Sequence, residues 1–453
     1  MPRMIQTNGM NGAASALRAT ALRSIARSIF QHALEESSIE RGFARSVHYE
    51  RGILQVGKDL YPFSNYSKVF VVSIGKGAHT SLQALMERLG TGTGVTGIVS
   101  APTAPVAQVP GFRYFEGGHP MPNHESLKAA AAILKSLESL DEHALVIYML
   151  SGGGSAIVER PIADDITFDD LVQTYRALVH SGAPIAQINA VRKHISGVKG
   201  GRMALAAAPA QQVSILISDV PDNALDSLAS GPTMPDTSTV EQCYQIAQNY
   251  DLLPRLPESV AHLFRTHTLE ETPKKGDPLF ERARWWPILS NVGAQNAAAE
   301  LAAQNGFHVE IDNSCDDWDY RKAADYLLDK LRQLHKQHER VCLVSGGEVT
   351  VVVDANPGQG GRNQQFALYC AQHIGGEKIT VLSAGTDGID GASPAAGSVA
   401  DGTTLARAKE KGLDAEAALK GFDAYPFFDA LGDTIMTGHT GTNVRDIRLL
   451  LAE

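Results

Sequence analysis

The sequence predicts an α/β fold of two domains, each a largely parallel or mixed sheet flanked by helices, and three observations predict it. The chain has 453 residues, about three times the usual length of one domain. Short runs rich in β-branched residues alternate with helical patterns, which is typical of layered strands and helices. Several of these runs end directly in glycine and small polar residues, as strands do beside a ligand site.

The predicted strands and helices follow one another along the whole chain. Residues 69–74 have the sequence VFVVSI and stop at Gly75, which is typical of a buried parallel strand. Further runs of this kind are residues 97–100, 145–150, 213–217, 287–290, 341–344, 349–353, 379–383 and 434–436. Helical periodicity covers residues 124–140, 169–180, 291–304, 320–335 and 364–373. This alternation favours mostly parallel sheets.

A polar stretch separates the two predicted domains. Residues 266–277 (THTLEETPKKGD) lose the apolar periodicity of the segments on either side. We therefore expect an N-terminal domain over residues 15–265 and a smaller α/β domain over residues 280–453.

Charge, hydropathy and cysteine spacing exclude several classes of protein. The net charge is −10 and no basic run occurs, so we expect no nucleic-acid partner. The apolar stretches are far shorter than the ~20 residues of a membrane helix, so we expect no membrane partner. The N-terminus lacks the apolar segment of a secretory signal. Four widely spaced cysteines without a C-x-x-C pair are typical of a cytoplasmic enzyme. A homodimer is left open.

Glycine-rich segments follow three of the predicted strands and indicate an anion site. They are residues 151–155 (SGGGS), 345–348 (SGGE) and 383–388 (SAGTDG). Glycine lets backbone N–H groups approach an anion closely, and a following helix N-terminus adds partial positive charge. Cations cluster over residues 192–202 and in the glycine loop at 358–365. In an acidic protein this pattern favours a polyanionic small molecule as the ligand.

Single charged side chains at the strand ends point to phosphoryl transfer. Lys76 lies just past a buried strand, where a charge is unfavourable unless it is paired. Asp219 and Asp387 follow comparable strands, which is typical of a Mg²⁺ ligand or a catalytic base. Arg362 enters a helix from a glycine loop and would neutralise phosphoryl charge. Neither Gly-Lys pair of the sequence completes a Walker A motif, so a P-loop enzyme is excluded.

A series of ordered motifs identifies a family. The motifs are residues 75–78 (GKGA), 117–122 (GGHPMP), 151–156 (SGGGSA), 189–194 (NAVRKH), 199–202 (KGGR), 217–220 (ISDV), 229–233 (ASGPT), 345–348 (SGGE), 360–364 (GGRNQ), 386–388 (TDG) and 440–444 (TGTNV). With these motifs the chain resembles the glycerate 2-kinase family, whose members are often labelled hydroxypyruvate reductase. The resemblance implies a Rossmann-like N-terminal glycerate-kinase domain and a smaller C-terminal MOFRL domain.

The resemblance also implies an activity and its residues. The activity is ATP-dependent phosphorylation of D-glycerate at the 2-hydroxyl, with Mg²⁺, to give 2-phosphoglycerate and ADP. The implied catalytic residues are Lys76, Asp219, Arg362, Asp387 and Asn443, of which Asp219 and Asp387 are also the candidate metal ligands. The implied nucleotide-binding residues are Ser151, Gly152, Gly153, Gly154, Ser155, Gly360, Gly361 and Glu348; which glycine loop holds the phosphates and which holds the glycerate carboxylate is left open. The implied substrate-binding residues are Asn189, Arg192, Lys193, Lys199 and Arg202. Our hypothesis is that Lys76 and Arg362 stabilise phosphoryl charge.

Departures from the family pattern leave the substrate open. Residues 222–224 stand where the family commonly has Gly-Asp-Asp, Gln365 replaces a glutamate, and His439 replaces a proline. The alternatives are a kinase for another small hydroxy acid, a non-catalytic ligand-binding homologue, or an NAD(P)H-dependent hydroxypyruvate reductase. The reductase requires a dinucleotide fingerprint after a strand, whereas the G-x-G-x-x-G match at residues 92–97 precedes one.

Overall fold

The structure is a computed structural model that describes residues 7–353 and 355–453. These residues form two compact units. We call Ile39–Leu289 the central unit, and residues 7–38 together with residues 290–453 the terminal unit. Among the described helices, none combines the length and the apolar character needed to cross a membrane.

The bounds of the helices and strands are as follows. The helices are α1 (Thr7–Glu36), α2 (Ile39–Ser46), α3 (Ala78–Leu89), α4 (His124–Leu137), α5 (Gly154–Ile157), α6 (Phe168–Val179), α7 (Ile185–His194), α8 (Arg202–Ala207), α9 (Val240–Asn249), α10 (Glu258–Arg265), α11 (Asn291–Gln304), α12 (Tyr320–His335), α13 (Arg362–His373), α14 (Thr404–Glu410), α15 (Ala415–Lys420) and α16 (Ala424–Leu431). The strands are β1 (Val47–Glu50), β2 (Ile53–Val56), β3 (Asp59–Pro62), β4 (Lys68–Ile74), β5 (Thr96–Ala101), β6 (Phe112–Glu116), β7 (Ala144–Leu150), β8 (Gln211–Ile217), β9 (Ala283–Leu289), β10 (His308–Ile311), β11 (Val341–Gly346), β12 (Ile379–Gly385), β13 (Gly397–Asp401), β14 (Thr434–Ile435) and β15 (Asp446–Ala452).

The central unit is built on a six-stranded sheet in the order β6-β5-β4-β7-β8-β9, with every neighbouring pair parallel. Counted along the chain from β4, this is the 3-2-1-4-5-6 order of the Rossmann fold. Every side chain of β7 is buried, as expected for a strand covered by helices on both faces. The predicted Rossmann-like sheet is confirmed. Its order reverses between β4 and β7, and ligands bind at such a switch point.

Helices α6, α7, α9 and α10 form a second apolar core within the central unit. Leu171, Val191 and Val260 are fully buried in it. Thr167 and Thr239 begin α6 and α9 with capping boxes, which satisfy the first amides of each helix. This core fixes α7, the helix that carries three of the predicted substrate residues.

The terminal unit contains a mixed sheet in the order β10-β11-β15-β12-β13-β14, in which only β10 and β11 pair in parallel. Gly346 pairs with Ile447, and Gly385 pairs with Asp446. Because β15 runs antiparallel to both neighbours, its first residues meet the carboxyl ends of β11 and β12 at one edge. The predicted mixed sheet is therefore confirmed.

The strand predicted over residues 349–353 does not form. The segment makes one isolated bridge, between Asp319 and Thr350. Val352 and Val353 are 83% and 54% exposed. The prediction was wrong here because β-branched residues favour a strand only where a neighbouring strand packs against them.

Helix α1 packs within the terminal unit, although the predicted N-terminal domain includes it. Leu22, Ala26 and Ile29 lie on one face at helical spacing and are buried. Arg27 Nη1 donates a hydrogen bond to the carbonyl oxygen of Thr434 over 2.8 Å. The terminal unit therefore draws on both ends of the chain.

Candidate active site

Two neighbouring strands of the central sheet end in loops that carry Lys76 and residues 151–154. Lys76 follows β4 and residues 151–154 follow β7, on either side of the switch point. The backbone N–H of Lys76 donates to the carbonyl of Gly152 over 2.9 Å, and the N–H of Gly77 donates to Ser151 Oγ over 3.0 Å. These bonds join the two loops and leave the Lys76 side chain exposed.

Glycine is required in the loop at residues 151–154, because neighbouring side chains leave no room for a Cβ at Gly152 or Gly153. A Cβ at Gly152 would lie 2.1 Å from Asp219 Oδ2. A Cβ at Gly153, whose φ is +84°, would lie 2.9 Å from His119 Cδ2 and 3.3 Å from Lys76 Cγ. The loop is thus packed against Asp219, His119 and Lys76. We call these three side chains and the loop the strand-end site.

The backbone of the strand-end site offers unused hydrogen-bond donors. No described residue accepts a hydrogen bond from the N–H of Gly152, Gly153 or Gly154. The hydroxyl of Ser155, in contrast, lies 2.5 Å from that of Ser230. Successive open amides beside a lysine form a concave site for an anion, such as a phosphate or a carboxylate.

His119 is a residue of this site that the sequence analysis missed. Burial lowers the pKa of its imidazole, and the positive charge of Lys76 lowers it further. The ring is therefore neutral at pH 7 and can accept a proton from a hydroxyl. The motif at residues 117–122 was recognised, but no strand was predicted before it, so its position at the carboxyl end of β6 was not seen.

Two of the predicted substrate residues are lysines with partners inside the central unit. Lys193 Nζ lies 3.1 Å from Asp226 Oδ2 and 2.8 Å from Asp236 Oδ1. Burial acts to raise the pKa of Asp236, but the charge of Lys193 and several hydrogen bonds outweigh it and lower that pKa to about 2. Lys199 is 1% exposed and forms an ion pair with Glu159. Their direct contact with substrate stays a prediction.

The other three predicted substrate residues lie on α7 and α8. Asn189 is half-buried, and the Arg192 guanidinium lies 4.7 Å from the centroid of the Tyr175 ring. Arg202 is 8% exposed and donates to a backbone carbonyl over 3.4 Å. Among the described residues, no hydrogen bond or ion pair joins any of the five predicted substrate residues to Lys76.

The terminal unit contains a cleft of about 620 Å³, which we call the terminal cleft. It is lined by Val349, Thr350, Val351, Val353, Pro357, Gly358, Gly360, Gly361, Arg362, Gln365, Asp387, Ile389, Asp390, Gly391, Ala392 and Phe422. Four of these are predicted site residues: Gly360, Gly361, Arg362 and Asp387. The volume falls within the range of small-molecule binding sites.

Arg362 is held in the terminal cleft by two carboxylates. Its Nε lies 2.6 Å from Asp446 Oδ2 and its Nη2 lies 3.0 Å from Asp446 Oδ1, a bidentate pair. Nη2 also lies 2.8 Å from Glu348 Oε1. Burial acts to lower the pKa of Arg362, but the hydrogen bonds and charge of Asp446 raise it overall. The guanidinium is therefore charged and fixed in direction.

Asp387 and Asn443 both shape the backbone near the ends of their strands. Asp387 follows β12, and its Oδ1 accepts a hydrogen bond from the N–H of Ile389 over 3.2 Å. Asn443 Oδ1 accepts from the N–H of Arg445 over 2.9 Å. The Arg445 guanidinium lies 2.6 and 2.7 Å from the carboxylate oxygens of Asp316. Asp387 lines the terminal cleft, whereas Asn443 does not.

Asp390 is a second residue that the sequence analysis missed. It is 2% exposed and accepts hydrogen bonds from the N–H groups of Asn363 and Gln364 over 3.1 and 2.8 Å, which caps α13. A Cβ at Gly361 would lie 2.3 Å from Asp390 Oδ1. Burial raises the pKa of Asp390 to about 7, with a further rise from Asp446. The signal for it was the second aspartate in the sequence TDGID.

The loop before α13 keeps its own amides open. No described residue accepts a hydrogen bond from the N–H of Gly360, Gly361 or Arg362. The next two amides of the helix are taken by Asp390. An anion in the cleft can therefore bind the loop amides, but it cannot use those further along the helix.

The two candidate ligands of Mg²⁺, Asp219 and Asp387, would need further oxygen ligands from water or phosphate. Within residues 7–353 and 355–453, no three His, Cys, Asp or Glu side chains are arranged so that they could hold a metal ion by themselves. Asp219 and Asp387 lie in different units. Since Mg²⁺ keeps several waters and takes one or two carboxylates plus phosphate oxygens, each aspartate fits the ion together with a bound phosphate.

Comparison with known proteins matches both halves of the chain. Residues 25–265 match the family described as "Domain of unknown function (DUF4147)", and residues 341–446 match the MOFRL family. D-glycerate 2-kinase of Thermotoga maritima is 35% identical over 396 residues, which cover 86% of this chain and 92% of that relative. Glycerate 2-kinase of Pyrococcus horikoshii is 34% identical over 402 residues, 87% of this chain and 89% of that relative. A relative from Agrobacterium vitis, named "Putative hydroxypyruvate reductase", is 34% identical over 387 residues, 84% and 98%.

Solved structures match over nearly the full length. The crystal structure of glycerate kinase from Thermotoga maritima has a TM-score of 0.83 and 32% identity, covering 96% of this chain and 100% of that one. A crystal structure from Pyrococcus horikoshii OT3 has a TM-score of 0.82 and 31% identity, covering 95% and 98%. The chain therefore belongs to the glycerate 2-kinase family, with a DUF4147 domain followed by a MOFRL domain.

Proposed function

We propose that this protein is a glycerate 2-kinase that transfers the γ-phosphoryl group of ATP to the 2-hydroxyl of D-glycerate. The observation that carries the proposal is the strand-end site, where an exposed lysine lies beside open amides at the switch point of a parallel sheet. Such a site suits a small anion that bears a carboxylate or a phosphoryl group. The relatives named glycerate 2-kinase support the same reaction.

The residues of the strand-end site divide the work of phosphoryl transfer. The 2-hydroxyl oxygen attacks phosphorus, the bond from phosphorus to the bridging oxygen of ADP breaks, and the hydroxyl proton passes to the neutral imidazole of His119. The ammonium of Lys76 stabilises charge on the group in transfer, which is the main task of a protein in this chemistry. Asp219 orients the hydroxyl. The amides of Gly152 and Gly153 hold the anionic group of the acceptor.

The terminal cleft contributes a guanidinium that is fixed in direction. Arg362 holds its direction through its bidentate pair with Asp446, so it needs no reorganisation as charge develops. Asp387 is the carboxylate of this cleft that fits Mg²⁺ together with phosphate oxygens. Bound Mg²⁺ would neutralise part of the phosphate charge.

The reductase alternative has support from the name of a relative, but the central sheet is unsuited to a dinucleotide. In a dinucleotide site the first turn has three glycines, and an acidic residue about 20 residues on binds the ribose. Here Thr80 stands at the third glycine position, and no acidic residue occurs between residues 88 and 115. The turn amides of Lys76 and Gly77 are already bonded to the neighbouring loop.

One assay separates the alternatives. Purified protein is incubated with D-glycerate, ATP and Mg²⁺, ADP release is followed, and enolase is added to detect 2-phosphoglycerate as phosphoenolpyruvate. A parallel reaction follows NAD(P)H oxidation with hydroxypyruvate. We expect substrate-dependent ADP release and an enolase signal. Coenzyme oxidation without ADP release would show that the protein is a reductase and not a kinase. ADP release without an enolase signal would show that the phosphoryl group is transferred to another hydroxyl or to another acid.

The cysteines support a reducing compartment. All four, Cys243, Cys315, Cys342 and Cys370, are buried and free of disulfides. Free buried thiols are ordinary where glutathione keeps cysteine reduced. A cytoplasmic location therefore accompanies the proposed activity.

A further inference from the structure

We propose that the terminal cleft is the binding site for the nucleoside triphosphate, with the base on an apolar wall and the phosphates on the loop before α13. This inference rests on the proposed kinase function and assigns its two substrates to separate surfaces. The wall consists of Val349, Val351 and Phe422, and the loop amides are those of Gly360 and Gly361.

The size and lining of the cleft fit a nucleotide better than a hydroxy acid. A volume of about 620 Å³ holds a ligand of drug size. Glycerate is far smaller and has almost no apolar surface to bury against Val351 and Phe422. A purine has two flat apolar faces, and an apolar wall with a few polar groups is the common form of such a site.

The polar end of the cleft fits a chain of phosphates. The open amides of Gly360, Gly361 and Arg362 follow one another along the backbone, as in loops that bind phosphate. Glycine is required at 361, because a Cβ there would lie 2.3 Å from Asp390 Oδ1. Gly360 and Gly361 line the cleft without side chains of their own, so their backbone faces the ligand space.

The charges of the cleft disfavour a bare carboxylate as its ligand. Asp387 and Asp390 line it, and Glu348 and Asp446 both contact its one arginine, Arg362. The carboxylates of Asp387, Glu348 and Asp446 outnumber the one guanidinium of the lining, which disfavours a free organic acid. A nucleoside triphosphate that arrives with its divalent cation brings the positive charge that this end of the cleft lacks.

Among the described residues of the central unit, the position that would hold a pyrophosphate in a Rossmann site is taken by protein groups. The amides of Lys76 and Gly77, which would face a pyrophosphate in a Rossmann site, are bonded to Gly152 and Ser151. The ribose-binding acid is missing as well. What remains is the small set of amides at the strand-end site, which suits the hydroxy acid.

A matched pair of variants tests the inference. Val351 lines the cleft, whereas the next residue, Val352, is 83% exposed and does not. We expect Val351→Glu to weaken binding of Mg²⁺-AMP-PNP, measured by calorimetry, by at least about tenfold, because the new charge meets an apolar face. The KM for ATP should rise in parallel and the KM for D-glycerate should stay unchanged. Val352→Glu should alter neither. Equal AMP-PNP affinity in Val351→Glu and wild type would overturn the inference.

Photolabelling of the wild-type chain gives a second test that does not depend on the folding of a variant. After irradiation with 8-azido-ATP, peptide mapping should find the label within residues 349–362 or at Phe422. Label within residues 151–155 would overturn the inference while leaving the kinase proposal intact. Labelling of the cleft in a protein without ADP release would reject the proposed function and retain the nucleotide site.

Discussion

The strand-end site and the terminal cleft differ in how the protein holds their cationic side chains, Lys76 and Arg362. At the strand-end site the Lys76 side chain is exposed, and its backbone alone is bonded to the neighbouring loop. In the terminal cleft the Arg362 guanidinium is clamped by Asp446 and Glu348. A flexible point charge can follow a group in transfer, whereas a fixed fork holds a ligand in one place. The lysine therefore suits the phosphoryl transfer that we propose at the strand-end site, and the arginine suits the nucleotide site that we propose in the terminal cleft.

Removal of the exposed lysine should have the largest effect. We expect Lys76→Met to lower kcat by about 10²–10³-fold, the usual loss when one group that stabilises transition-state charge is removed. The fold should be intact because the side chain is exposed, and circular dichroism checks this. Lys68→Met, which removes the exposed lysine at the other end of β4, is the control. Wild-type kcat in Lys76→Met would reject the role given to this lysine.

Replacing Arg362 by lysine separates the effect of its positive charge from the effect of its bidentate geometry. Arg362→Lys keeps the charge but loses the bidentate contact with Asp446. We expect AMP-PNP affinity to fall about tenfold to a hundredfold, because the direction set by Asp446 is needed for a charge-assisted hydrogen bond from Arg362 to the phosphates, and such a bond is equivalent to about 1.5–3 kcal/mol. Isothermal calorimetry measures it. An unchanged affinity would show that the bidentate contact with Asp446 is not needed for nucleotide binding. The proposed contrast between the fixed Arg362 and the exposed Lys76 would then be wrong.

A methyl group at the strand-end loop should disturb Asp219. Gly152→Ala places a Cβ 2.1 Å from Asp219 Oδ2, so the carboxylate must move. We expect kcat/KM for D-glycerate to fall about tenfold, because catalytic groups tolerate little displacement. Steady-state kinetics with saturating ATP measure the loss. Gly375→Ala, at a glycine with open space around it, should leave kcat/KM unchanged. Equal kinetics for both variants would mean that Asp219 has no fixed role.

The smallest expected effect is a pH dependence in the terminal unit. Burial raises the pKa of Asp390 from 3.8 to about 7, so the native state binds more protons than the unfolded state between these pH values. The contribution of Asp390 to stability is therefore present below pH 3.8 and is lost as pH rises to about 7.

Asp390→Asn should remove that dependence. Relative to wild type, the variant should gain at least about 1 kcal/mol of unfolding free energy between pH 5 and pH 8, measured by urea denaturation. Because the two proteins are compared at each pH, the contributions of all other titrating groups to the unfolding free energy cancel. A difference that does not change with pH would show that Asp390 is ionised throughout this range.

Local sequence was sufficient to find the residues at the ends of strands. Lys76, Asp219 and the loop at 151–155 were predicted because a buried apolar run that stops at glycine marks both the strand and its carboxyl end. Pairing across the chain was not predictable in the same way. Lys193 pairs with Asp236, which lies 43 residues away, and nothing near Lys193 in sequence reveals this partner.

The sequence by itself determined the α/β class, the parallel central sheet and the family, because apolar periodicity and glycine motifs are local properties. Only the tertiary structure decided which charges are paired inside the protein and which are exposed. It also showed that Val349, Thr350, Val351 and Val353 line a cleft instead of joining a sheet, and that α1 packs with the other end of the chain. These features depend on contacts between distant segments, and a charge or an apolar side chain acquires its role only from the group that packs against it.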